Sequence, residues 1–184
     1  MEKEIINTDI EKLKYPVGKF IKPDIFTKQQ ISDWITIIEQ LPSKLRKEVE
    51  HLSDEQLDTP YRPDGWTVRQ VVHHLGDSHM NSYLRFHWTL TEDKPTIKPY
   101  FEDRWAELPD TKFAPIEMSL NLIAALHFRW VYSLKLMNEN DFNKIYIHPE
   151  YGKEFDLKTA LGSYAWHCDH HLAHITELKK RMGW

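Results

Sequence analysis

Four imidazoles fall within eight residues of this chain, at His167, His170, His171 and His174. Core building alone does not call for that density. A neutral imidazole is the commonest side-chain ligand for transition metals, and residues four apart on a helix lie one above the other on the same face. The run therefore offers two pairs, His167/His171 and His170/His174, each able to present two nitrogens to one ion. Cys168, not Glu, follows His167, so the His-Glu-x-x-His motif of the zinc proteases is absent. A third ligand must come from elsewhere, and the second His-rich stretch, His73-His74-Leu75-Gly76-Asp77-Ser78-His79, is the donor the sequence offers. A His pair on one helix facing a single His on another outlines a metal site inside a helix bundle.

The elements that must carry these residues read as helices. Thr67-Val68-Arg69-Gln70 has capping-box form and precedes Val71, Val72, Leu75, Tyr83, Phe86 and Leu90, which predicts a helix over about 67–91. Leu157, Leu161, Tyr164, Cys168, Leu172, Ile175 and Leu178 predict a last helix over about 157–181, stopped by Gly183. Between them, Ile116, Leu120, Ile123, His127, Trp130, Leu134 and Met137 mark a helix opened by Pro115. Upstream, Thr27-Lys28-Gln29-Gln30 caps a first helix through Ile31, Trp34, Ile35, Ile38 and Leu41; Pro42 is expected to interrupt or kink it, with Leu45, Val49 and Leu52 continuing the pattern.

Four amphipathic helices make an all-α four-helix bundle. Residues 1–26 form an extended arm, 53–63 a polar connection, and 92–114 a long aromatic-bearing loop of the kind that often covers a site. Between 139 and 156, the alternation at Ile145 and Ile147 and the turn Pro149-Glu150-Tyr151-Gly152 suggest a short β-ribbon.

At 184 residues the chain is a single domain, 1–184, long enough for a real core. A formal charge of −4 speaks against a nucleic-acid partner, which would need a basic face. No apolar run approaches membrane-spanning length, the N-terminus opens with the mixed charges of Met1-Glu2-Lys3-Glu4, and the single cysteine fits a reducing compartment. A soluble cytoplasmic protein is the expectation.

Periodicity leaves the ligand set open. At 100° per residue His79 lies near the centre of its helix's apolar stripe, His74 at the margin beside Val71, Ser78 and Arg85, and His73 nearly opposite. On the last helix His171 is the most core-facing, with His170 and His174 on one flank. A lone buried His is more often a hydrogen-bonded structural side chain than a ligand, which is the reading for His127 in its apolar stripe. Cys168 reads as a small core residue. The constellation as a whole points to metal.

Gly65-Trp66-Thr67-Val68-Arg69-Gln70-Val71-Val72-His73-His74-Leu75 and His170-His171-Leu172-Ala173-His174-Ile175 resemble the YfiT-type branch of the DinB superfamily, as do Tyr15-Pro16-Val17-Gly18, Leu57-Asp58-Thr59-Pro60-Tyr61-Arg62 and Arg181-Met182-Gly183-Trp184. The resemblance spans nearly the whole chain. It implies a four-helix bundle, commonly dimeric, that acts as a metal-dependent hydrolase through three His: the second of the His-His pair and two His four apart in the last helix. Carried onto this sequence, those are His74, His170 and His174, which displaces the periodicity ranking of His79 and His171. Asp169 breaks the His cluster with an acid, outside that trio.

Three neutral His leave a fourth position for water, and a divalent ion lowers that water's pKa towards about 7, giving the expected nucleophile; no protein side chain is assigned a catalytic role. Zinc is the expected ion, one per subunit, with nickel the alternative, and a small molecule is the expected substrate. The same open position also suits a metal-dependent S-transferase that holds a thiol such as bacillithiol as thiolate, as some superfamily members do. A non-catalytic metal-binding homodimer is the third reading. Asp77, Asn81, Arg85 and Asp169 are candidates to support the site from behind.

Overall fold

The computed structural model describes residues 10–150 and 152–184; the N-terminal part of the expected arm and Tyr151 of the expected turn lie outside them. Four long helices carry the fold: α1 (Lys28–Val49), α2 (Val68–Thr91), α3 (Ile116–Leu136) and α4 (Leu157–Met182). The packed pairs are α1–α4, α1–α3, α2–α3 and α2–α4, so α1 stands across the bundle from α2, and α3 from α4. Consecutive helices on a diagonal need long connections, which is what residues 50–67 and 137–156 provide. Their interdigitated core runs from Ile38, Leu41 and Leu45 through Val72, Leu75 and Phe86 to Ile123, Trp130, Leu161 and Ile175, all at most 2% exposed.

Local chemistry sets the ends. Thr67 Oγ1 accepts from the Gln70 backbone N–H while Gln70 Oε1 accepts from that of Thr67, the reciprocal cap expected of α2. Thr27 caps α1 by accepting from the Gln30 backbone. Asp156 caps α4, and Gly183 ends it at φ 72°, a left-handed conformation that favours Gly. Pro115 is the cap residue before α3 and not its first helical residue. Arg69, buried on α2, pairs with Asp54 and Asp58 at 2.7 Å each and donates to the Ala114 carbonyl, tying α2 to both flanking connections.

Pro42 does not break α1, which runs unbroken through it. The proline has no N–H for the carbonyl one turn back, that of Ile38. That orphan carbonyl lies at the bundle interior and is taken by a side chain of α3, as described below. The ribbon exists as β1 (Ile145–His148) and β2 (Lys153–Asp156), antiparallel with Tyr146 opposite Phe155. Its buried face carries Tyr146 and His148, whereas Ile145 and Ile147 are only partly buried. The 92–114 loop contains two single turns, Glu102–Trp105 and Pro109–Phe113, and joins the ribbon through Ile97 N–H to the Ile147 carbonyl at 3.0 Å.

Candidate metal centre

The α2–α4 contact brings the two His-rich stretches face to face. His74 on α2 meets His167 and His171 on α4, one helical turn apart, and the ligand atoms of these three lie within 4.8 Å of one another. His74 Nε2 and His167 Nε2 are 3.2 Å apart. That matches the ~3.3 Å edge of a tetrahedron with ~2.0–2.1 Å metal–nitrogen bonds. Neither ring nitrogen of His171 has a hydrogen-bond partner among the described residues, and its buried Nδ1 is orphaned. Burial holds all three rings far on the neutral side, His74 down to about 3, with the neighbouring imidazoles adding to the effect. Neutral imidazole is the form that coordinates. Protonation state, spacing and the unpartnered His171 ring together fit a divalent transition metal ion.

A chain of hydrogen bonds behind His167 fixes which of its nitrogens is bare. The Ile38 carbonyl freed by Pro42 accepts from His127 Nδ1–H at 2.7 Å. A carbonyl only accepts, so the neutral His127 ring has its lone pair on Nε2, and His79 Nδ1–H donates to it at 2.8 Å. His79 then accepts at Nε2 from His167 Nδ1–H, 3.1 Å away. His167 is left with a bare Nε2 pointing at His74. His79 and His127 are held neutral by burial, His127 at about 4, so the alternation is unambiguous. On the other side of His74 the Tyr100 hydroxyl stands 3.5 Å from Nδ1. A hydroxyl can donate or accept there, so His74 is free to carry its proton on either nitrogen.

The expected trio of His74, His170 and His174 is not gathered as one group. His170 and His174 come together with His171, on the side of α4 that faces the arm. His174 Nε2–H donates to the Lys14 carbonyl at 3.0 Å and its ring stacks on Tyr61. His170 stacks on Trp166, which in turn donates to the Gly18 carbonyl. Burial lowers His174 to about 3 and His170 to about 4. His167, one of the two pairs the sequence offers but outside the trio the resemblance implies, is the residue brought to His74, and the signal for it is His171: if that ring is core-facing, its partner one turn earlier shares its face. His73 is structural, receiving Ser119 Oγ–H at Nδ1 and donating from Nε2 to the Ala114 carbonyl.

The centre opens into a cavity of about 470 Å³ walled by Trp66, Trp166, Tyr100 and Phe155, with Arg85 and His148 at its lining. Of the supporting candidates, Arg85 alone lines this cavity. Asp77 is half-buried near Asp110, and burial first, with that second carboxylate, pushes it up to about 6. Asn81 donates to the Asp77 carbonyl. Asp169 sits beside Lys44, raised by burial. Cys168 is buried, and burial pushes its thiol well up, away from reactivity.

The sequence profile of the DinB superfamily matches residues 37–175. The chain belongs to the DinB superfamily. Among its DinB relatives, the "Putative metal-dependent hydrolase YfiT" of Bacillus subtilis (strain 168) is 50% identical over 172 residues, covering 94% of this chain and 97% of that protein. A "Putative metal-dependent hydrolase" of Bacillus cereus (strain 03BB102) is 54% identical, covering 94% and 98%. The solved structure of Bacillus subtilis YfiT, described as having an unusual four-helix bundle topology, superposes with a TM-score of 0.92 over 94% of this chain and 99% of that one. The mycothiol-dependent maleylpyruvate isomerase shares the DinB fold at a TM-score of 0.57 and 14% identity, over 76% of this chain and 60% of that one.

Proposed function

We propose that this protein is a hydrolase of small molecules that works with one divalent metal ion per subunit, held by His74, His167 and His171. The observation that carries the reading is the bare Nε2 of His167, fixed by the His79–His127–Ile38 chain and set 3.2 Å from His74 Nε2. When bound there, the ion supplies a Lewis acid that polarises a carbonyl and makes a water nucleophilic near neutral pH. Three imidazoles suit zinc first, with nickel as its competitor. Trp66 and Trp166 wall the cavity and give it an apolar surface beside the imidazoles. Tyr100, whose hydroxyl burial keeps protonated, stands beside His74 on the cavity lining, where it can hydrogen-bond a substrate oxygen.

The outward face of α3 supports a homodimer. Met118, Leu122, Phe128, Tyr132 and Leu136 fall within a ~120° stripe at 100° per residue, and each is exposed, Phe128 at 83%. No helix of the described residues is long and apolar enough to cross a membrane. With one reduced cysteine as the remaining hint, the cytoplasm is the compartment we assign.

Metal content and turnover on ester, amide and lactam panels test the reading in wild type, His74→Ala, His167→Ala, His171→Ala, His170→Ala and His174→Ala. The expected result is loss of the ion and of turnover in the first three variants, with the ion retained in the last two. Metal retained by His74→Ala or His171→Ala overturns the ligand set. Turnover that requires an added low-molecular-weight thiol such as bacillithiol moves the reaction to thiol transfer at the same coordination position. A loaded protein inert in both assays is a metal-binding dimer without catalysis.

A further inference from the structure

Two arginines of α2 are buried, and their surroundings differ in kind. Arg69 is neutralised by Asp54 and Asp58. Arg85, 9% exposed, has no side-chain hydrogen bond and no ion pair among the described residues, and its Nε is out of contact with solvent with no partner. A guanidinium is charged at every physiological pH and cannot shed the charge as a buried Lys or His does. Burying it unpaired is costly, and such charges in folded proteins are almost always paired.

The acids within reach do not pair with it. Asp156 is engaged as the α4 cap and with Lys22 at 3.5 Å. Glu102 and Glu150 touch the cavity but are exposed. The side chain lines the same cavity as the metal centre, and the buried face of the ribbon, Tyr146 and His148, lines it alongside.

We infer that Arg85 is the anchor of an anion subsite, and that the substrate is a small molecule with a carboxylate or phosphate group at the end remote from its reacting bond. The inference rests on the proposed reading of the same cavity as an active site and adds the substrate class to it. A guanidinium and an oxyanion pair through two parallel hydrogen bonds, which fixes orientation as well as charge. His74 and Arg85 share a face of α2, about 16 Å apart along the axis, and a helical side chain reaches back toward the N-terminus. An anion on Arg85 therefore leaves one small molecule's length before the imidazoles, in a cavity of fitting size. Exposed Glu102 and Glu150 disfavour a resting place for the anion at the mouth, so it settles at the guanidinium.

Chelator-treated full-length protein, free of metal so that the anion has no ion to ligate, is titrated with inorganic phosphate and separately with acetate. The readouts are calorimetry and the 15N-resolved Arg85 Nε–H resonance, with elemental analysis of untreated samples alongside. We expect saturable binding of at least one anion, a shift of the Arg85 signal, affinity weakened at least about tenfold in Arg85→Gln, and partial retention in Arg85→Lys. Whichever of phosphate and acetate binds more tightly names the group. Metal content is expected to be the same in Arg85→Gln as in wild type. Equal affinity in wild type and Arg85→Gln, or an Arg85 signal that neither anion moves, overturns the subsite. Wild type that binds the anion through Arg85 but retains no metal leaves the subsite standing and removes the hydrolytic reading instead.

Discussion

Replacing His79 with Phe removes the acceptor for His167 Nδ1–H while leaving a ring of similar size against Trp130 and Tyr164. In wild type the proton on His167 Nδ1 is held by that acceptor, and Nε2 faces His74 with its lone pair free. In the variant the Nδ1–H is stranded in a buried site, a cost of about 1–3 kcal/mol whenever Nε2 is to act as ligand. The metal-free ring also gains an escape: moving the proton to Nε2, it can donate to His74 Nε2 at 3.2 Å and so cap the two nitrogens that would hold the ion. Both effects weaken metal binding, together by about 10–100-fold, or roughly 1.4–2.8 kcal/mol. Chelator competition with zinc and nickel measures the affinity, and long-range 15N correlation on the metal-free protein reads the tautomer. His79→Gln, whose side-chain carbonyl can accept the same proton, should recover part of the loss. The effect should shrink along the chain: smaller in His127→Phe, smaller again in Pro42→Ala, where a restored backbone N–H competes for the Ile38 carbonyl. His79→Phe with wild-type metal affinity, or His167 protonated on Nε2 in the metal-free wild type, refutes the reasoning.

Three further outcomes follow from the geometry. In the unfolded chain His74 and His127 titrate near 6.5, whereas the fold holds them at about 3 and about 4. Between those values the unfolded state binds more protons, so stability is full above pH 6.5 and falls below it, by about 2 kcal/mol per ring at pH 5. Urea unfolding of chelator-treated protein at pH 7.5 and pH 5.0 should show that loss, and equal midpoints would contradict it. Arg69→Met strips two ion pairs and the bond to the Ala114 carbonyl; because Asp54 and Asp58 are largely exposed and rehydrate, the loss should be about 1–2 kcal/mol by urea unfolding at unchanged metal content. Phe128→Glu places a charge in the middle of the exposed α3 stripe and should convert a dimer to a monomer in light scattering; a wild-type protein that is monomeric to begin with removes that interface.

The helices were legible because their signals are local. Apolar residues at helical spacing and side-chain caps such as Thr67/Gln70 act within one or two turns, and α2 and α4 begin within a residue or two of where the sequence places them. The ribbon was legible in place but not in facing. Ile145 and Ile147 are the more apolar pair, yet Tyr146 and His148 face inward and line the cavity along with Arg85. The ligand question was harder. His167/His171 lie at the edge of the α4 apolar stripe and His170/His174 farther round the same flank, and which pair meets His74 depends on α2 packing over the nearer pair while the arm covers the farther one. That is a fact of tertiary arrangement. The family resemblance fixed the pattern of two His four apart, and four His in eight residues let the pattern be laid down in two registers.

Pro42 joins these levels most directly. Read locally, a proline fifteen residues into a helix is a defect, and the expectation was an interruption or a kink. In the bundle the carbonyl it releases is the one acceptor that can anchor a row of imidazoles, because every other group in the row both donates and accepts. Without a fixed end, His127, His79 and His167 could all reverse their protons together at little cost, and Nε2 of His167 would be a donor as readily as a ligand. The carbonyl breaks that symmetry from about three rings away. A break in one helix's hydrogen bonding thereby orders the protonation of a side chain on another, and the proline that looks like a fault in α1 sets the tautomer at the proposed metal centre between α2 and α4.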